Sequence, residues 1–125
     1  MKTIINTKNA PAPIGPYNQA IKAGNTLYVS GQIPINPETG ELVDESIEKE
    51  THQVLQNLNA IIEAAGGNLM HVVKCSIFVT DMNNFSKVNE VYAGYFSAEA
   101  PARETVQVSA LPKNVNVEIS CIAVL

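Results

Sequence analysis

Charge is scarce in this sequence: only 16% of its 125 residues are Asp, Glu, Lys or Arg, where about 25% is usual for a soluble domain. A small domain has much surface to cover, so a shortage of charge points to surface that another subunit covers. Cationic residues are the scarcer kind, with 8 Lys and Arg against 12 Asp and Glu, a net charge of −4, and no basic block anywhere. Phosphate neutralisation supplies most nucleic-acid affinity, so a nucleic-acid role is disfavoured. No uninterrupted apolar run approaches the ~20 residues that span a bilayer, which excludes a membrane partner of that kind. The start, Met1-Lys2-Thr3-Ile4-Ile5-Asn6, lacks the apolar stretch of a signal peptide, so the expected location is the cytoplasm. Cysteine is limited to Cys75 and Cys121, whose separation fits no metal-ligand spacing. Each sits in an apolar, strand-like run and is expected to be a reduced, buried thiol. Walker, GxGxxG, HExxH and GxSxG motifs are all missing.

What is present is enough for one domain over residues 1–125, with 46% apolar residues to build a core. Thr3 to Asn6 reads as a short edge strand. Three prolines and a glycine between Ala10 and Tyr17 exclude helix and central strand there and leave an ordered loop. Asn18–Ala23 and Thr26–Ser30 read as a hairpin around Gly24-Asn25. Pro34 to Glu45 is a loop. From Ser46 onward, Ile47, Thr51, Val54, Leu55, Leu58, Ile61, Ile62 and Ala65 keep the spacing of one helical face, stopped by Gly66-Gly67. Val72 to Thr80 alternates, with Val73, Cys75, Ile77 and Val79 expected on one face. Asp81 to Asn84 supplies capping residues for a second helix running to about Phe96. Strands are expected over Glu104–Ala110 and Val115–Val124. The order β-β-β-α-β-α-β-β implies an α+β fold, with both helices packed on one face of a mixed sheet. The other face would be covered by copies of the same chain.

Few side chains are placed to carry chemistry. Arg103 lies where a loop stiffened by Pro101 enters a strand, and its guanidinium suits two-pronged binding of a carboxylate. The alternative is a surface arginine paired with Glu104 or another acid. Glu118 lies on the opposite face of the last strand from Val117, Ile119, Cys121 and Ala123. If that strand forms a hairpin with Glu104–Ala110, Glu118 would reach Arg103 and act as a general base towards water; otherwise it is a solvated outer residue. Tyr17 either hydrogen-bonds at a site mouth or packs the proline-rich loop. Ser30 and Gly31 offer backbone groups at a strand end. Asn89 interrupts an apolar helical stripe formed by Phe85, Tyr92 and Phe96, so its amide needs partners. His52 and His71 have no companion at a metal or triad spacing.

Ile14-Gly15-Pro16-Tyr17, Ser30-Gly31-Gln32-Ile33-Pro34, Asn89-Glu90-Val91-Tyr92, Pro101-Ala102-Arg103 and Leu111-Pro112-Lys113 with Val117-Glu118-Ile119 resemble, in this order, the RidA subgroup of the Rid (reactive intermediate deaminase, YjgF-like) family. The resemblance covers essentially the whole chain. It implies a chorismate-mutase-like fold and a homotrimer with clefts between subunits. It also implies an enzyme, a 2-iminobutanoate/2-iminopropanoate deaminase. Such an enzyme hydrolyses reactive 2-imino acids and enamines from pyridoxal-phosphate-dependent dehydratases to 2-keto acids and ammonia. The alternative is a trimer that holds a 2-keto acid or similar small carboxylate without turnover. By resemblance Arg103 and Glu118 are catalytic, and Tyr17, Ser30, Gly31 and Asn89 line the cleft, with the Tyr17 and Ser30-Gly31 side supplied by the neighbouring subunit. No metal and no cofactor is implied. Many RidA proteins carry Ser-Cys after the arginine, where this chain has Glu104-Thr105. Thr105 is expected on the face of Arg103, within touch of a ligand, and Glu104 on the other.

Overall fold

A computed structural model describes all 125 residues. The strands are β1 (Lys2–Ile5), β2 (Ala20–Ala23), β3 (Thr26–Gln32), β4 (Val72–Val79), β5 (Ala102–Gln107) and β6 (Val117–Val124). The helices are α1 (Ile47–Ala64) and α2 (Phe85–Tyr95). The element order is the expected one, and the six strands form one mixed sheet in the order β1-β2-β3-β6-β4-β5. Only β4 and β5 run parallel. That pair is joined through α2, as a parallel connection requires.

Each helix starts and buries as its sequence dictates. Ser46 caps α1 by accepting from the Lys49 N–H at 3.1 Å, and Glu48 and Glu50 favour the positive end of the helix dipole. Val54, Leu55, Leu58, Ile61 and Ile62 are buried against the sheet, and Gly66, at φ +90°, turns the chain away. The core lies between the two helices and one sheet face, where Leu27, Val29, Cys75, Ile77, Val79, Val117, Ile119, Cys121 and Ala123 point inward. No helix is long and apolar enough to cross a membrane.

Two bulges change which residues face the core. Between Val29 and Gln32 the register with β6 advances three residues for two, leaving Ser30 and Gly31 opposite Ser120. Between Val72 and Lys74 the same happens on β4. Val72 therefore takes the buried place and Val73 is exposed, contrary to the expected alternation.

The expected hairpin between the last two strands does not form. β6 is inserted between β3 and β4, and β5 lies beyond β4 at the sheet edge. β5 also begins at Ala102, so Arg103 is inside the strand, and β6 begins at Val117.

Candidate active site

Cross-strand register fixes the face of the candidates on β5 and β6. Arg103 pairs with Cys75, which pairs with Cys121, and Thr105 pairs with Ile77, which pairs with Ile119. These partners are core residues, so Arg103 and Thr105 lie on the helix side of the sheet. Glu118 pairs with Phe78, which pairs with Val106, and Glu104 pairs with Ser76, which pairs with Ser120. These form the outer face. Arg103 and Glu118 of one chain are thus on opposite sides of the same sheet, and the expectation that a hairpin would bring them together is wrong.

The first group of residues gathers around Arg103. Its Nη1 donates to Asn89 Oδ1 at 2.7 Å, which supplies the partner that the Asn89 amide requires. The guanidinium carbon lies 4.9 Å from the Tyr92 ring centre and 5.6 Å from that of Phe85. No carboxylate stands within 4 Å of it; the two ion pairs are Lys49–Glu45 and Lys74–Glu104. Glu104 is occupied on the outer face by Lys74 and by a hydrogen bond from Ser76. Ser76 first, then Lys74, holds its carboxyl below the usual range. The surface ion pair with Glu104 is therefore excluded for Arg103. Thr105 Oγ1 is buried beside this group with no partner in the protein. Such an orphan needs a ligand or water.

The second group gathers around Glu118. A concavity of about 320 Å³ on the outer face is lined by Tyr17, Ser30, Gly31 and Glu118, with Ile14, Ile33 and Pro112 as apolar walls. The Glu118 carboxylate lies directly on Gly31, so that a Cβ there would collide with it. Burial raises the Glu118 carboxyl above its ordinary 4.5, and no cation offsets this. Tyr17 accepts a hydrogen bond from Ile14 N–H at 3.3 Å, bracing its own loop, and remains 45% exposed at the mouth.

Ser30 lines this concavity, and its own donors are spent within the chain. Its hydroxyl donates to Asn18 C=O at 2.6 Å and its N–H donates to Gln19 C=O at 2.9 Å. Both donors tie down the strand that follows the proline-rich loop. Gln19, fully buried, donates through Nε2 to the carbonyls of Thr7, Ala10 and Pro11. Sequence reasoning passed over Gln19; its signal was an amide flanking an apolar strand start. The apolar walls Ile14, Ile33 and Pro112 were also missed as lining residues. The roles of Phe85 and Tyr92 were hidden because an apolar stripe is ordinarily read as core. His52 faces Tyr95 on the surface at 3.1 Å, and His71 closes a capping box with Asn68. No three His, Cys, Asp or Glu residues converge to hold a metal ion.

This arrangement offers an unspent cation on one face and an unpaired, elevated carboxylate in a hollow on the other. Comparison with known proteins fits the geometry. The family model described as Endoribonuclease L-PSP matches residues 7–125. A RutC family protein of Pyrococcus horikoshii is 58% identical over 98% of each chain. The 2-iminobutanoate/2-iminopropanoate deaminase of Mus musculus is 45% identical over 99% of this chain and 92% of its own. The crystal structure of E. coli TdcF with bound serine superposes with a TM-score of 0.95 at 42% identity, covering 98% of each chain.

Proposed function

We propose that this chain, which belongs to the Rid (YjgF/RutC-like) family, is a 2-iminobutanoate/2-iminopropanoate deaminase whose active site is completed by a second copy of itself. The observation that carries the reading is Arg103: a half-buried arginine with no carboxylate partner, held by neutral groups. One Nη1 hydrogen is committed to Asn89, and the remaining guanidinium donors are free to grip a substrate carboxylate in two-pronged fashion. Glu118 supplies the base, but from the outer face of a neighbouring subunit. A homotrimer with clefts between subunits brings the two faces together. It also covers Tyr28, Val106 and Val124, large apolar side chains exposed on the outer face.

The chemistry is short. The substrate carboxylate docks on Arg103, with the Thr105 hydroxyl facing the ligand. The protonated imine carbon is already electrophilic. Glu118 takes a proton from water as its oxygen bonds to that carbon, and the C=N pair moves to nitrogen. Glu118 then returns that proton to the carbinolamine nitrogen, the C–N bond breaks to release ammonia, and the hydroxyl gives up its proton to the Glu118 carboxylate as the C=O of the 2-keto acid forms. Positioning is worth several kcal/mol in such a step, and general acid–base help ~10²–10⁴-fold in rate. Tyr17 and Gly31 shape the hollow in which the water is held. An acidic chain without a basic stripe gives nothing to recommend ribonuclease chemistry.

A coupled assay tests the reading. Threonine dehydratase generates 2-iminobutanoate in the presence of semicarbazide, and the protein should lower the rate of trapping. Arg103→Ala should abolish that effect. Wild type and Arg103→Ala behaving alike contradicts the proposal. Ligand binding with unchanged trapping would favour a carboxylate-binding regulator instead.

A further inference from the structure

Helix α2 presents Phe85, Asn89 and Tyr92 at spacings of four and three, which places them on one helical face. All three meet the same guanidinium. Asn89 fixes one nitrogen at 2.7 Å, and the rings of Phe85 and Tyr92 stand 5.6 and 4.9 Å from the guanidinium carbon. Arginines are more often oriented by a carboxylate, which would also cancel the charge that a ligand needs. An aromatic face attracts a cation without neutralising it.

Tyr92 shows which part of its side chain matters. It is only 5% exposed, and its hydroxyl finds no oxygen or nitrogen partner in the protein. The Cys75 thiol, on the strand position paired with Arg103, lies beside it. A buried hydroxyl so poorly partnered adds little to the fold. The ring is what packs on Phe96 and faces Arg103. Phe85 is 37% exposed, although its ring is large and apolar. Burial does not explain its place, whereas the guanidinium beside it does.

We infer that Phe85 and Tyr92 are positioning residues for substrate binding: their rings hold the Arg103 guanidinium in register while leaving its charge for the substrate carboxylate. The inference rests on Arg103 being the carboxylate anchor. It assigns to the two aromatics an effect on affinity, through Arg103, and none on the chemical step.

The experiment measures kcat and KM with imino acids produced by an amino-acid oxidase against semicarbazide trapping. It also measures binding of 2-oxobutanoate, the unreactive product, by calorimetry. Phe85→Leu and Tyr92→Leu should each raise KM and the 2-oxobutanoate Kd about tenfold, the scale of a lost cation–π contact. Their kcat should stay within about threefold of wild type. Tyr92→Phe, which keeps the ring, should retain wild-type values. Unchanged KM and Kd in both leucine variants, with only a lower Tm, overturns the inference in favour of packing. A fall in kcat at constant KM overturns it too. Phe85 is exposed, so Phe85→Leu decides the matter even if Tyr92→Leu fails to fold. An active Arg103→Ala would sink the functional reading itself. An inactive Arg103→Ala beside wild-type binding in the aromatic variants would sink only this inference.

Discussion

Glu118 sits where its carboxylate is costly. Burial raises its carboxyl above 4.5 in the folded chain, while the unfolded chain keeps the ordinary value. The folded state therefore holds the proton to higher pH, and stability falls as pH rises between the unfolded and folded values. Glu118→Gln removes this cost, so at neutral pH its Tm should equal or exceed that of wild type while deaminase activity is lost. A variant that is both inactive and less stable at pH 7 would contradict this account. The same elevation sets the acid limb of kcat/KM above the ordinary glutamate range, with activity lost as pH falls. Gly31 is part of this setting: Gly31→Ala would drive a methyl into the Glu118 carboxylate, and kcat should fall at least ~10-fold for a displaced base. Asn89→Asp should also impair the enzyme, by giving Arg103 the carboxylate it lacks, and should raise KM more than it lowers kcat. At this scale the sequence was informative about residue type. Arg103 stood out at a loop–strand junction, Glu118 on the polar face of an alternating strand, and Asn89 as an amide interrupting an apolar stripe. Their partners were harder to read. The ring of Tyr92 looks the same in a sequence whether it packs a core or faces a guanidinium.

Elements were legible where a single periodicity governed them. The face of α1 followed from its apolar spacing, and the inward residues of β6 followed from alternation, because both depend only on local geometry. Strand pairing did not follow from those patterns. An antiparallel neighbour for β6 was expected in β5 because the two are consecutive, but β4 and β5 flank a helix. Strands joined by a crossover helix pair parallel, which fills that side of β4 and sends β6 to the other. The bulges at Ser30-Gly31 and Val73 leave no sequence periodicity to follow, since each adds one residue against the partner strand. Two polar residues on the buried stripe of α1 were also passed over. Asn57 donates to the carbonyls of Ile33 and Ile35. Glu50 accepts from both the N–H and the side-chain amide of Asn116, at 3.0 and 2.7 Å. Asn116 stands just before β6 and two residues before Glu118, so Glu50 links the helix to the strand that carries Glu118. Glu50→Ala should lower stability by about 1–3 kcal/mol in denaturant unfolding. Stability unchanged within error would show that water replaces the contact freely.

The molecule as a whole has the Arg103 cation on one side of a single sheet and the Glu118 carboxylate on the other. No side-chain rotation brings Arg103 and Glu118 of one chain together, because the β4 and β6 backbones lie between them. The proposed functional unit of more than one chain would account at once for the shortage of charge, the apolar side chains exposed on the outer face and this separation. Subunit complementation tests this most directly. Arg103→Ala and Glu118→Gln are each expected to be inactive alone. Unfolded together in equal amounts and refolded, they should form mixed oligomers. A cleft that takes its arginine from one variant and its glutamate from the other is intact, so about a quarter of wild-type deaminase activity should return under random assembly of a cyclic oligomer. Mixed oligomers that form and remain inactive would contradict a shared site.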